Sequence, residues 1–156
     1  MRRVMLTSLL GITAVLAFGV SAPAWAATTV TMHIHNGTAT MPSPNPCTGV
    51  HGTVTIHFNA VFHKTRIGPG LVHVTETTAG TFEFVPNKSK FPSYTGHFTQ
   101  WDGFNRNARN VAGTFTFHVN GMGSDGSHLV FHEVSHFSMS ASGVQVQFDK
   151  PTCSSP

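Results

Sequence analysis

The chain is 156 residues long, enough for one domain and not two. It is 40% hydrophobic but only 10% charged, against a usual charged share of about a quarter, which excludes a charge-rich disordered chain. With Glu76, Glu83 and Glu133 as its only glutamates it is no long coiled coil either, and 11 His form the one excess that suggests chemistry.

Residues 1–26 read as a secretory signal. Met1-Arg2-Arg3 is a positive start, 4–20 run without a charge, and Ala24-Trp25-Ala26 supplies the small residues of a cleavage site. The apolar run is short for a membrane span, and nothing after Val30 is long enough for one. The expected mature chain is therefore a secreted, extracellular single domain over 27–156. Without Arg2 and Arg3, the nine Lys and Arg fall to seven against six acids, a net of +1 that is thinly spread. A nucleic-acid partner is not expected from such a balance.

From Val30 onward the period is two. Residues 30–36 are a first candidate strand. In 53–62, Val54, Ile56, Phe58, Ala60 and Phe62 share one face, opposite Thr53, Thr55, His57 and Asn59. Candidate strands at 71–78, 81–85 and 94–105 follow. Residues 113–121 alternate again, with Phe115, Phe117 and Val119 opposite Thr114, Thr116, His118 and Asn120. Leu129, Phe131, Phe137 and Met139 continue one apolar phase. Val144, Val146 and Phe148 close the series, opposite Gln145 and Gln147. About eight strands result, separated by Gly, Pro and Ser. The expected fold is all-β, a single antiparallel β-barrel, with a β-sandwich as the alternative.

One hairpin can be read in register. Ser124-Asp125-Gly126 suits a three-residue loop with Gly126 in the left-handed position. Gly123 then faces Ser127, Val119 faces Phe131, His118 faces His132, Thr116 faces Val134 and Thr114 faces His136. A slip of one residue would bring apolar against polar. The frame G-T-Φ-T-Φ-H-Φ-N (Φ apolar) starts at both Gly52 and Gly113, which suggests two related halves. Cys47 and Cys153 bracket most of the domain and are expected to pair, because an oxidising compartment permits it. The chain-entropy model values such a closure at roughly 4–5 kcal/mol.

The segment 92–101 (PSYTGHFTQW), with Phe104-Asn105-Arg106-Asn107, Thr114 to Phe117, Gly123 to Gly126 and His132 to Gly143, resembles a family of small secreted actinobacterial proteins. The resemblance covers roughly 45–153 and implies a compartment and a β-rich fold, but no chemistry. The strand count is also distantly similar to lipocalin-like and allene-oxide-cyclase-like barrels. That second likeness concerns fold alone, and no catalytic residue is carried across.

His132-Glu133-Val134-Ser135-His136 spells the zinc motif H-E-x-x-H, whose mechanism depends on helical spacing. The flanks here read as strand, where residues four apart lie about 13 Å from each other, so one zinc cannot take both. A different metal reading uses His118 with His132 across the hairpin, completed by His57 or His136, with zinc or copper as the ion. The pair His33 and His35 is a second chelate of that kind. Glu133 shares the phase of Phe131 and Phe137; a carboxyl among aromatics has a raised pKa and is a candidate for acid or base catalysis. The segment 101–110 is the least regular polar stretch. In it Trp101, Phe104, Arg106 and Arg109 are candidates for binding an anionic or carbohydrate ligand, and Gly103 for a bulge.

Three functions follow. The first is a non-catalytic module binding a small apolar or carbohydrate ligand, or a surface, without a cofactor. The second is a barrel enzyme of cyclase or isomerase type, with Glu133 or a His as the acid or base. The third is extracellular metal handling by strand histidines. The first two differ in whether Phe82, Phe84, Phe115, Phe117, Phe131 and Phe137 fill the interior.

Overall fold

A computed structural model of the chain describes residues 26–68, 70–140 and 142–154. The expected signal segment lies outside these residues except for Ala26. Seven strands follow one another: β1 (Ala27–Pro44), β2 (His51–Ile67), β3 (Leu71–Pro86), β4 (Tyr94–Arg106), β5 (Asn110–Gly123), β6 (His128–Ser140) and β7 (Gly143–Ser154). Each pairs antiparallel with the next, giving one sheet of order β1-β2-β3-β4-β5-β6-β7. The fold is all-β, and no helix occurs among the described residues. Among the described residues no β7–β1 ladder closes the sheet, so the structure shows one antiparallel seven-stranded meander and does not show the closure expected of a barrel.

The count is seven because 71–78 and 81–85 are one strand. Ala79-Gly80 reads as a turn but is paired on both sides, Gly80 with Phe58 and with Phe98. A Cβ on Gly80 would lie 2.0 Å from the carbonyl oxygen of His57, so this glycine serves close backbone approach. The β5–β6 hairpin has the expected register: Val119↔Phe131, His118↔His132, Thr116↔Val134 and Thr114↔His136. Gly123 N–H donates to the Ser127 carbonyl at 2.7 Å, and Gly126 has φ 85°. No bulge occurs at Gly103, which stays in register with Thr75 and Thr114. The two G-T-Φ-T-Φ-H-Φ-N frames fall on β2 and β5, which run in opposite directions.

Apolar side chains of one phase meet as the core. Phe82, Phe84, Tyr94, Phe98, Val119, Leu129 and Phe131 are buried together, with Val54, Ile56, Phe58 and Phe117 packed against them. Residues from β1 to β6 line one cavity, so the sheet curls with this face concave. The connection 45–50 folds over the upper end of that face. Asn45, 2% exposed, accepts the N–H of Cys47 (2.9 Å) and of Thr48 (3.0 Å) through Oδ1. Cys47 on this connection and Cys153 on β7 form a disulfide with Cα atoms 5.7 Å apart. A covalent link thus joins the two margins of the sheet where no ladder does. The bond indicates an oxidising environment.

The disulfide also sets the phase of β7. Cys153 pairs with Phe131 and Asp149 with Ser135, both on the concave face. Val146 and Phe148 therefore fall on the convex face, 48% and 38% exposed, and not on the closing face that their alternation suggested.

Candidate functional site

Register rows across the concave face show what the site is made of. Val54, Phe84 and Tyr94 form one row, Ile56 and Phe82 the next, and Phe58, Gly80, Phe98, Val119, Phe131 and Cys153 the third. Below them lies Ala60, Thr78, Gln100, Phe117, Glu133 and Pro151, then Phe62, Glu76, Asp102, Phe115, Ser135 and Asp149. Four of the six acids, Glu76, Asp102, Glu133 and Asp149, thus occupy two adjacent rows under the aromatic ones. Lys64, Arg66 and Arg106 share the same face further down.

The aromatic rows do not fill the space above this belt. A cavity of about 300 Å³ remains, lined mainly by Val54, Ile56, Phe82, Phe84, Phe98 and Phe117 and roofed by Pro44, Asn45 and Pro46. Its size is at the lower end of the ~300–1,000 Å³ of small-molecule sites. Gln100 is its polar group toward the carboxylate belt; Gln100 Nε2 donates to Asp102 Oδ2 at 2.7 Å. Thr78 Oγ1 donates to Glu76 Oε1 at 3.1 Å, and Glu76 pairs across strands with Asp102. Such a space takes an apolar body and offers a few hydrogen-bonding groups at one end.

Glu133 lies beside Phe117, in the concave phase its sequence position suggested. Burial pushes its carboxyl above the ordinary glutamate range; the Asp149 charge and a hydrogen bond with Asp149 add to the rise. The outward neighbours of Glu133 in the H-E-x-x-H string, His132 and His136, sit on the opposite face of β6. No zincin geometry arises.

All 11 His occupy the convex phase. His118 and His132 face each other with ring centroids 6.2 Å apart, while His33 and His35 stack at 5.9 Å. His57 belongs to β2 and bonds Thr38, and His136 bonds Thr114, both through Nδ1. Neither is brought to the His118–His132 pair, and among the described residues no group of three His, Cys, Asp or Glu is placed to hold a metal ion.

The four candidates of the 101–110 segment are also divided. Phe104 and Arg106 fall in the concave phase, Trp101 is 42% exposed in the convex phase, and Arg109 sits in the turn capped by Asn107 Oδ1. The cavity and its carboxylate belt were not legible from the sequence. Glu76, Asp102, Glu133 and Asp149 are scattered along the chain, and only the meander register makes them neighbours. Comparison with protein families, with curated proteins and with solved structures gives no match to this chain.

Proposed function

We propose that the protein is a secreted, disulfide-tied carrier or sensor of a small apolar ligand, held without chemistry in the cavity between β1–β6 and the 45–50 connection. The observation that carries this reading is that cavity: about 300 Å³, walled by Phe, Val and Ile, on a face whose aromatic rows could have closed it. The curled sheet and the cystine that ties β7 to the 45–50 connection support a container-like reading of this face. The signal-like leader and the resemblance to secreted β-rich proteins support export.

Titration with a medium-chain alcohol tests the proposal by methyl NMR. Shifts confined to Val54, Ile56, Val119 and Leu129, with Val61 and Val134 on the convex face unmoved, are expected. Uniform shifts, or none, contradict it.

A second reading is favoured by one observation, the elevated Glu133 carboxyl paired with Asp149. A carboxyl whose pKa is raised by burial and a neighbouring acid is suited to general acid catalysis, as in cyclase or isomerase chemistry. Turnover of an unsaturated apolar ligand that is lost in Glu133→Gln separates this reading from simple binding. Metal handling rests on the His118–His132 and His33–His35 pairs. Zinc or copper titration with His118→Ala as control tests it.

A further inference from the structure

The convex face is built differently from the concave one. It carries all 11 His and a dense set of Thr and Asn, while its fixed charges are Glu83 on β3 and Lys150 on β7. No Asp, Glu, Lys or Arg of β1, β2, β4, β5 or β6 projects from it among the described residues. Thr31 with His63 (2.8 Å), Thr38 with His57 (2.9 Å) and Thr114 with His136 (2.8 Å) repeat one arrangement, a threonine hydroxyl on Nδ1 across the strands. A hydroxyl can accept as well as donate, so this arrangement holds whether the ring is neutral or protonated. Nε2 is the ring nitrogen those bonds leave for other partners.

Trp101 lies at the centre of this face, on the middle strand of the seven. Its six-membered ring covers Gly103, whose missing side chain leaves room for it: a Cβ there would be 2.6 Å from the ring. The indole is thus laid along the sheet and remains 42% exposed. Thr77 and Thr116 flank it across the strands; His118 and His132 stand in the adjoining row on one side, His63 and His136 in that on the other. A flat aromatic surface ringed by hydrogen-bonding groups suits the apolar face of a sugar ring. Imidazole is the side chain whose charge ordinarily changes between pH 5 and 8, and this face sets few fixed charges beside its histidines.

We propose that the convex face binds an acidic polysaccharide, with Trp101 as its stacking platform and the surrounding histidines as the groups that meet its carboxylates in mildly acidic surroundings. Charge complementarity selects the anionic polymer over a neutral one. A lipid bilayer fits less well, because the exposed apolar residues of this face stand at its margins: Ile67 and Leu71 at the β2–β3 turn, Val85 and Met122 toward the other end, Val146 and Phe148 on β7. Salt weakens the association, since the charges are exposed. This surface is separate from the cavity and does not depend on the cavity being occupied.

The test uses the full chain with Trp25→Phe, which leaves Trp101 as its one indole. Polygalacturonate is titrated at about pH 5 and about pH 7.5 while indole emission is followed, with dextran and phosphatidylglycerol vesicles as parallel probes. The expected result is saturable quenching by polygalacturonate, about tenfold or more tighter at the lower pH and reduced by salt, with neither other probe bound comparably. Trp101→Ala, followed by calorimetry, is expected to weaken binding at both pH values. The triple variant His118→Gln, His132→Gln, His136→Gln is expected to abolish the pH dependence while retaining a cooperative melting transition. Binding that does not change with pH, equal binding of dextran, preference for the vesicles, or an unaffected Trp101→Ala protein overturns the proposal.

Discussion

At the residue scale, two side chains carry the site's geometry and electrostatics. Asn45 holds the roof of the cavity through two bonds from Cys47 and Thr48 to a single buried oxygen. Asn45→Ala leaves those N–H groups without that acceptor and is expected to destabilise the fold by about 2 kcal/mol in denaturant titration; no change would mean the roof is held by the disulfide alone. Glu133 acts in the opposite sense. Its folded pKa is raised, so the native state holds this proton more tightly than the unfolded chain does. Stability is therefore lost as pH rises from the ordinary glutamate value through the raised one. Glu133→Gln is expected to be more stable than the parent above that window and indistinguishable below it. The melting difference measured across acidic and neutral pH checks the sign; a gain at low pH instead would contradict it.

At the element scale, alternation specified much of the sheet but not its continuity or every facing. The β5–β6 hairpin was legible because a three-residue loop and two matched faces leave one register. The turn composition of Ala79-Gly80 splits β3 into two candidate strands in the sequence, whereas Gly80 is there for the carbonyl of His57. Gly80→Ala is accordingly expected to cost about 3 kcal/mol through forced displacement of β2, measured by chemical denaturation. An ordinary strand glycine would show stabilisation on that change. On β7 the alternation of Val146 and Phe148 looks like core, yet the cystine decides the facing: Cys153 lies in the concave phase, and residues two apart follow it.

At the scale of the whole molecule, neighbours across the sheet mattered more than neighbours in sequence. The disulfide was legible because a chain with two cysteines has one pairing to make. The open seam was not, since period two specifies faces and says nothing of closure. The carboxylate belt needed four registers at once, from β3 to β7. The histidines were visible as an excess, yet only the sheet shows that they share one face while four of the six acids occupy the other. The cystine fastens the margins where hydrogen bonds do not. Its reduction is expected to lower stability by about 4 kcal/mol and to open the cavity, seen as a lower melting temperature under reductant.

The most direct test of the central claim is a fluorescence titration with N-phenyl-1-naphthylamine, an uncharged apolar probe, comparing the parent with Ile56→Trp. The indole replaces a cavity wall by a bulkier side chain in the same apolar surroundings. One saturable site in the parent, lost in a variant that still unfolds cooperatively, is the result the cavity reading predicts. Equal binding by both proteins, or no binding by the parent, would contradict it.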